Sequence, residues 1–548
     1  MKLKKILSLL LAAALLTALA ACGSSADTAD SSETDSSDEG DATVSGETLT
    51  FDEADDSVFS LSVDYDETLN PLKTTSTLNQ LVDCLVYDRL FEVDENFNVT
   101  SRVLSDWYYT KSDDSAGVWV LTVKEGIQMH DGSTLTAQDV AYSISSIFTS
   151  GDSYYQQQTG RVYSSAYNGE VYLATDSVSD SLLPARLSVP VIKYGTVSDD
   201  IPVGSGPYTF NDDQTALVKF DDYEGSENLP VDEIQLRAYR GMEELITEFE
   251  SGLVDLVLND PTGIYNMGYG GKNEKRTITT TNLHFIGFNS NSKFFCYDAY
   301  RYAMNWIIDR NTIVSDTLDG NAVATTLPIH PNSSLYDTSI ASQFTYDPQK
   351  CLTELERGGC RDLDSDGELE FALSGSKVDV EINFVVCAEN ANKVQEAKRI
   401  AEDMESIGLA VNLQELTWND YVAALESGYL DEDETVVVDM YMAEVALGGD
   451  WNVLELFTGD REEDGTLNYG GWDVTELEEA CEAFLGAKDD DRAAAETTYL
   501  TLFTTNSVFV PICFETREVI SHVGVISGMS PNQYDVFNNI TEWTINLD

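Results

Sequence analysis

Apolar and polar residues alternate through "VDVEINFVV", residues 378–386, which puts the apolar side chains on one face of a strand. The period then becomes helical, and one apolar face ends at Gly408, a natural helix stop. That face consists of Val394, Ala397, Ala401, Met404 and Ile407. Alternation returns in "LAVNL", residues 409–413. Strand, helix and strand of these lengths predict a βαβ unit, and hence a partly parallel sheet with helices packed on it.

A second strand-to-helix passage surrounds "IQMHDGSTLTAQDVAYSI", residues 127–144. The preceding "VWVLTV", residues 118–123, is β-branched and aromatic and predicts a strand. Apolar residues at helical spacing follow, and Thr136 with Asp139 predicts a capped helix start.

His130 and Asp131 lie side by side in the turn between these two elements. A histidine and an aspartate are two parts of a catalytic triad, but neighbours on a turn do not orient one another as a triad requires. We therefore assign the pair to the turn and not to catalysis.

The first 22 residues have the pattern of a cleaved export signal. Lysines precede an apolar run from Ile6 to Ala18, which is shorter than the roughly 20 residues that cross a bilayer. The run ends in "LAAC", which resembles the lipobox of bacterial lipoproteins, where the cysteine, here Cys22, carries the lipid. A plain secretory signal is the alternative. Residues 23–46 hold almost no large apolar side chain and predict a disordered acidic tether.

The balance of charge narrows the choice of partners. The chain has 96 acidic against 31 basic residues and a formal charge of −65, which repels nucleic acids and anionic lipid headgroups. We expect no nucleic-acid partner, and contact with a membrane through the lipid anchor only. With 548 residues and 42% hydrophobic content, the chain is long enough for several ordinary cores.

Seven cysteines follow Cys22 at irregular spacing, which predicts mostly buried thiols rather than a disulfide framework or a zinc site. Cys351 and Cys360 can meet only if the chain turns back at Gly358 and Gly359.

Candidate chemical motifs are incomplete. "DLDSDGELEF" has aspartates at the spacing of a calcium loop, but Leu373 stands where a bidentate glutamate is needed, so we expect a polar surface turn. "GSG" at residues 204–206 lacks the rest of a nucleophile elbow. Three histidines show no metal-ligand spacing: His284, His330 and His522. We expect no cofactor, no metal and no enzymatic activity, with a secreted hydrolase as the alternative.

Several blocks together resemble the solute-binding proteins that serve oligopeptide, dipeptide and nickel ABC importers. The longest runs from residue 87 to 144, beginning "YDRLFEVDENFNVTSRVLSDWYY". The others keep the order and spacing of that family over nearly all of the mature chain: "LNPL", "PVGSGPYTF", "YRYAMNWIIDR", "YDPQKCLTELERGG" and "AEDMESIGLAVNLQELTWNDY".

The resemblance implies an α/β fold of the periplasmic-binding-protein type, with two lobes joined by hinge strands that close over a ligand. It implies three segments of lobe I at residues 47–72, 188–280 and 521–548, an inserted subdomain at 73–187, and lobe II at 282–520.

The function implied is that of an extracellular binding lipoprotein, anchored by its lipid to the outer face of the bacterial cell membrane. It captures a small solute, a peptide by the resemblance, and delivers it to ABC permease subunits and their ATPases. The protein itself is expected to be a monomer. A nickel complex or a sugar is the alternative solute.

The resemblance also suggests the ligand residues. Peptide-binding relatives carry a W-x-A-D segment whose aspartate pairs with the peptide's α-ammonium group; here "YMAE" follows a predicted strand "TVVVDM", residues 435–440, so Tyr441 replaces the tryptophan and Glu444 the aspartate. Trp451 is a candidate second aromatic wall, and Asp450 is the alternative carboxylate. Tyr441 and Trp451 are equally candidates for the core.

Overall fold

The computed structural model describes residues 57–547, with short gaps at 111–116, 150–152, 176–179, 264–265, 267, 271, 374–375, 432 and 462–465, and the strands Ala42–Val44 and Glu47–Leu49. The predicted signal peptide and Cys22 lie outside the described residues. The predicted tether differs at its end, where Ala42–Val44 pairs with Glu47–Leu49 in antiparallel fashion. β-Branched Thr43 and Val44 favour this strand.

Three sheets form the framework. A four-stranded sheet has the order Tyr208–Phe210, Ala216–Lys219, Glu233–Ala238 and Ser60–Val63. A second has the order Leu104–Thr110, Val118–Val123, Glu170–Thr175 and Val162–Tyr167. The seven-stranded sheet has the order Leu256–Asn259, Phe509–His522, Asn273–Phe288, Met440–Ala446, Glu381–Cys387 and Ala410–Leu416, with Ala322–Ala324 added on Phe509–His522.

Small two-stranded pairs and helices complete the description. The pairs are Glu92–Val93 with Val99–Thr100, Glu370–Leu373 with Ser376–Asp379, and Ile526–Ser527 with Thr544–Ile545. The α-helices are Thr77–Val86, Ala137–Thr149, Tyr155–Thr159, Met242–Glu250, Asp298–Ala303, Arg310–Thr312, Thr338–Ala341, Pro348–Arg357, Ala391–Glu405, Trp418–Ser427, Thr475–Gly486 and Asp489–Asn506. No helix in this part of the chain is both long and apolar enough to span a membrane.

The predicted βαβ unit is present, but its first strand begins at Glu381, because Val378 and Asp379 belong to the strand Ser376–Asp379 of a hairpin. Glu381–Cys387 and Ala410–Leu416 are parallel neighbours joined by the helix Ala391–Glu405. The side chain of Asn390 caps that helix by accepting hydrogen bonds from the amides of Asn392 and Lys393. Gly408 takes the left-handed conformation, with a φ of 91°. The alternating pattern and the cap residues are therefore sufficient to specify this unit.

The predicted turn before the second helix is also present. Asp139 accepts hydrogen bonds from the backbone amide and the hydroxyl of Thr136, at 2.8 and 2.6 Å. His130 donates from Nε2 to the carbonyl oxygen of Gly206 at 3.0 Å, while the Asp131 carboxylate accepts from Ser133 and pairs with Lys193. Histidine and aspartate thus have separate partners, and both stabilise the turn.

Two large apolar cores divide the chain. One is built from residues between Leu283 and Phe514, and the other from residues 59–278 with 519–543. The change from one core to the other lies close to the predicted boundary between the lobes. The limits 73–187 of the inserted subdomain stay a prediction, because its apolar side chains share a core with lobe I.

Two long strands, Asn273–Phe288 and Phe509–His522, pass from one core to the other, and we call them the crossing strands. They pair with each other in antiparallel register from Asn273 opposite His522 to Gly287 opposite Phe509. Because each strand is continuous through both lobes, movement of one lobe on the other bends this ribbon.

Candidate ligand-binding site

A cavity of about 730 Å³ lies where the two lobes meet the inserted subdomain. Tyr154 and Gln156 come from the predicted inserted subdomain, Gln533 from the predicted C-terminal segment of lobe I, and Ala446 and Leu447 from the predicted lobe II. Sites for small molecules measure roughly 300 to 1,000 Å³. The cavity is therefore large enough for a solute enclosed between the lobes.

An irregularity in one crossing strand shapes the cavity floor. Pairing between the crossing strands shifts register between Thr279 and Leu283. Backbone N–H and C=O groups in this interval are therefore not all hydrogen-bonded between the two strands. The amide of Thr281 donates to the Gln533 side chain at 2.8 Å. The carbonyl oxygen of Thr281 accepts from the amide of Leu447 at 3.0 Å. Residues of both lobes are thus held at one point of the hinge.

The cavity lining includes three arginines, Arg89, Arg161 and Arg517. Arg89 donates to the carbonyl oxygen of Ser188 at 2.9 Å, and Arg161 lies over the ring of Tyr163. The side chain of Arg517 makes no hydrogen bond or ion pair with any described residue, and its Nε is buried. The single carboxylate among the described lining residues belongs to Glu455.

A buried group of charged side chains lies beside the cavity floor, and we call it the hinge ion cluster: His284, Lys393, Glu396, Glu444 and Glu515. The imidazole Nδ1 of His284 lies 3.0 Å from Glu396, and its Nε2 lies 2.6 Å from Glu515 and 3.5 Å from Glu444. Lys393 forms an ion pair with Glu444. Asn282 connects the cluster to the cavity, because it lines the cavity and its amide contacts Glu515.

The cluster sets the protonation of its members. Burial alone lowers the pKa of His284, but Glu396 and Glu515 raise it well above its ordinary value. Burial raises the pKa of Glu444, while Lys393 and His284 bring it below its ordinary value. The pKa of Glu515 is lowered in the same way by His284. The histidine is therefore an imidazolium, and with Lys393 it offsets most of the charge of three carboxylates.

Comparison with known proteins identifies the family. A model of bacterial extracellular solute-binding proteins, family 5 Middle, matches residues 98–455. The chain belongs to this family. The oligopeptide-binding protein AppA of Bacillus subtilis is 25% identical over 397 residues, covering 67% of this chain and 70% of AppA.

Solved structures agree on the fold. The substrate-binding protein CtaP from Listeria monocytogenes aligns with a TM-score of 0.67 at 18% identity, over 89% of this chain and 99% of CtaP. NikZ from Campylobacter jejuni in complex with Ni(L-His) aligns with a TM-score of 0.61 at 16% identity, over 89% of this chain and 100% of NikZ. The predicted two-lobed α/β architecture with hinge strands and an inserted subdomain is confirmed.

In this family 5 protein, Glu444 has an internal cation as its partner. It lies on the strand Met440–Ala446, opposite His284, and pairs with Lys393. Its side chain is not among those lining the cavity, although the next three residues of the chain, Val445, Ala446 and Leu447, are. Its role as a ligand anchor stays a prediction.

The other three predicted ligand residues lie in packed surroundings. The ring of Tyr441 covers Gly287, where an added Cβ would lie 2.1 Å from the ring. Trp451 is fully buried and contacts the rings of Phe97 and Phe514. Asp450 accepts from Arg186 at 2.8 Å and is also buried. The structure brings Tyr441 and Glu444 onto one strand but leaves Asp450 and Trp451 beyond its end, and the binding role of all four stays a prediction.

The strand predicted at residues 435–440 is shifted. The observed strand is Met440–Ala446, and Thr435 and Val436 instead donate their amides to the carboxylate of Asp431. The segment compared with W-x-A-D is therefore part of a sheet strand and does not follow one. Local β propensity favoured the earlier run, whereas pairing with a crossing strand selected the later one.

The arginines of the cavity and the hinge ion cluster were not predicted from the sequence. Arg517 carried one available signal, since it is a lone basic residue near the middle of an apolar crossing strand. The cluster carried none, because Lys393 and Glu444 lie 51 residues apart and His284 and Glu515 lie 231 apart.

The described histidines do not converge on one metal site. His330 is buried against aromatic rings, which lowers its pKa to about 4, and His522 stacks on Phe249. His284 could share a metal with Glu396 and Cys513 or with Glu444 and Glu515, whose ligand atoms lie within 4.8 Å of one another. Both of its ring nitrogens already contact carboxylates, so a metal would have to displace these contacts.

The acidic loop has a cation of its own. Asp362, Asp364, Asp366 and Glu370 bring four carboxylates together, and the ammonium group of Lys377 pairs with Asp364 and Glu370. Glu370 accepts an additional hydrogen bond from the amide of Leu363. The lysine thus neutralises part of the charge in the predicted surface turn.

Cysteine packing follows the sequence expectation. Five of the seven described thiols are buried, including Cys351 and Cys360, and none of the seven forms a disulfide.

Proposed function

We propose that this family 5 protein is the extracellular, lipid-anchored receptor of an ABC importer. It captures a small solute, a short peptide, in the cavity between its lobes. The protein acts as a monomer and delivers the solute to the membrane permease. The cavity of about 730 Å³ at the crossing strands supports the proposal most directly, because closure of the lobes around it would enclose a solute.

The chemistry of the cavity favours binding over catalysis. Its described lining has no histidine to act as a base, and burial raises the pKa of its cysteine, Cys84, to about 11. Such a thiol is a poor nucleophile at neutral pH. The relative AppA is an oligopeptide-binding protein, which supports a peptide as the solute here.

Mass spectrometry of solute released by denaturing the purified mature protein tests the proposal. We expect released peptides, and calorimetry with a synthetic copy of the commonest one should show stoichiometric binding without turnover. Release of a hydrolysed product, formed from an added peptide by the purified protein, would contradict the receptor role. Release of a sugar or a nickel complex would keep the receptor and replace the peptide.

A further inference from the structure

The charge of the cavity is opposite to that of the protein. Acidic residues outnumber basic ones 96 to 31 in the whole chain, whereas the described lining of the cavity has three arginines and one glutamate. A negatively charged surface around a positively charged site disfavours non-specific binding of anions outside that site. The described lining is therefore net positive in a strongly acidic protein.

Arg517 is the least satisfied of these arginines. It lies on a crossing strand between two glutamates that have other partners: Glu515 contacts His284, and Glu518 contacts Lys275 and Asn259. Asp260 interacts electrostatically with Arg517 but forms no ion pair with it among the described residues. The half-buried guanidinium group thus has donors without an acceptor, an arrangement that is costly unless a ligand completes it.

Arg89 faces the same space from the inserted subdomain. The phenol of Tyr154, whose pKa is raised by burial, is influenced by both Arg517 and Arg89, which lower that pKa. Tyr154, Arg89 and Arg517 all line the cavity. Arg89 donates to the carbonyl oxygen of Ser188 and, at 3.5 Å, to the Sγ of Cys84, while its buried Nε has no partner among the described residues.

We propose that the cavity selects solutes that carry an oxyanion, a carboxylate or a phosphate, and that Arg517 binds this group opposite Arg89, with Arg161 at the exposed rim. This inference rests on the proposed receptor function and specifies its class of solute. A guanidinium group offers two parallel N–H donors that match the two oxygens of such an anion. Binding of the anion from both sides of the cleft also stabilises the closed arrangement of the lobes.

Matched pairs of solutes test the selection. The probes are a pool of tripeptides with free C-termini, the same pool with amidated C-termini, citrate, inorganic phosphate and glucose. Calorimetry and thermal shift are measured on the mature protein and on Arg517→Gln, Arg517→Lys and Arg357→Gln. Arg357 is a control because it lies on the surface of lobe II, with 73% of its side chain exposed.

We expect binding by at least one anionic probe and at least tenfold weaker binding by its neutral counterpart. Arg517→Gln should reduce the affinity for the anionic probe at least tenfold without lowering the melting temperature of the ligand-free protein. Arg517→Lys should lose less of this affinity, and Arg357→Gln should bind the probe as tightly as the wild type. Equal binding of the amidated pool or of glucose, or an unchanged Arg517→Gln, overturns the inference and leaves the receptor role intact. Binding by no probe, with no solute released on denaturation, contradicts the receptor role itself.

Discussion

The ring of Phe97 in the inserted subdomain lies 4.7 Å from the ring of Trp451 in lobe II, at an interplanar angle of 73°. Both residues have a left-handed backbone, with φ of 62° and 59°. This conformation is uncommon for large side chains and persists where packing compensates for it. The contact joins the two sides of the cleft, so we expect it to favour the closed arrangement of the lobes.

Phe97→Ala should therefore weaken solute binding by favouring the open arrangement. An edge-to-face aromatic pair contributes about 0.5 to 1.5 kcal/mol beyond the burial of its area, so the dissociation rate should rise severalfold. Stopped-flow measurement of solute release checks this rate. Tyr108→Ala is the matched control, because Tyr108 is half exposed on the same subdomain. Equal release rates for both variants would show that Phe97 does not hold the lobes together.

Glu444→Gln should lower the melting temperature of the ligand-free protein. Removing one partner of a buried ion pair leaves the other charge unpaired, which costs about 3 to 5 kcal/mol. Adding Lys393→Met to Glu444→Gln should restore part of this stability. A ligand anchor without internal pairing would instead lose affinity, by about 1.5 to 3 kcal/mol, at unchanged ligand-free stability. Melting curves and calorimetry on the same samples separate the two roles.

Stability should fall as the pH rises above neutrality, and His284 should account for part of that fall. The unfolded imidazole loses its proton near pH 6.5, whereas the folded one keeps it to a higher pH. Its contribution is therefore fully present below about pH 6.5 and is lost toward the raised pKa, by at most about 1.4 kcal/mol per pH unit.

Urea unfolding of the wild type and His284→Gln between pH 6 and pH 9 measures this contribution. The groups facing His284 are Glu396 and Lys393 from one helix, Glu444 from the neighbouring strand, and Glu515 and Cys513 from the other crossing strand. The slope should be smaller in His284→Gln than in the wild type. Parallel curves for wild type and His284→Gln would mean that His284 is neutral in the folded protein.

Cys22→Ser should release the protein from the membrane or leave it as unprocessed precursor. The lipobox requires the thiol of Cys22 as the site of lipid attachment, and serine does not replace it. Fractionation of cells, with labelling by a radioactive fatty acid, measures both outcomes. Normal membrane association of the unlabelled variant would exclude Cys22 as the anchor.

Local patterns predicted much of the fold. The βαβ unit follows from alternation, a helical face and Gly408, all within residues 378–416. The strand at 118–123 and the helix cap at Thr136 follow from equally local signals. The prediction was wrong where pairing partners decide the result, as in the strand Met440–Ala446, because its position depends on a crossing strand about 160 residues earlier in the sequence.

The site depended more on distant contacts than the fold did. Glu444 could be placed by the resemblance, but nothing in its neighbourhood indicated that Lys393 would be its partner. Similarly, Arg89, Arg161 and Arg517 belong to separate segments and meet only after the lobes pack. A sequence without related sequences beside it contains no signal for such convergence.

The double passage of the chain between its two cores affects how the protein can fold during export. Val519, Ile526, Phe537 and Trp543 pack in the same core as Phe59 and Leu61, which leave the translocation channel first. The core of lobe I is therefore complete only when residues from the far end of the chain are present. Lobe II has its core between residues 283 and 514 and is complete earlier. Contacts so far apart in sequence form slowly, so the core of lobe I should be completed after the core of lobe II.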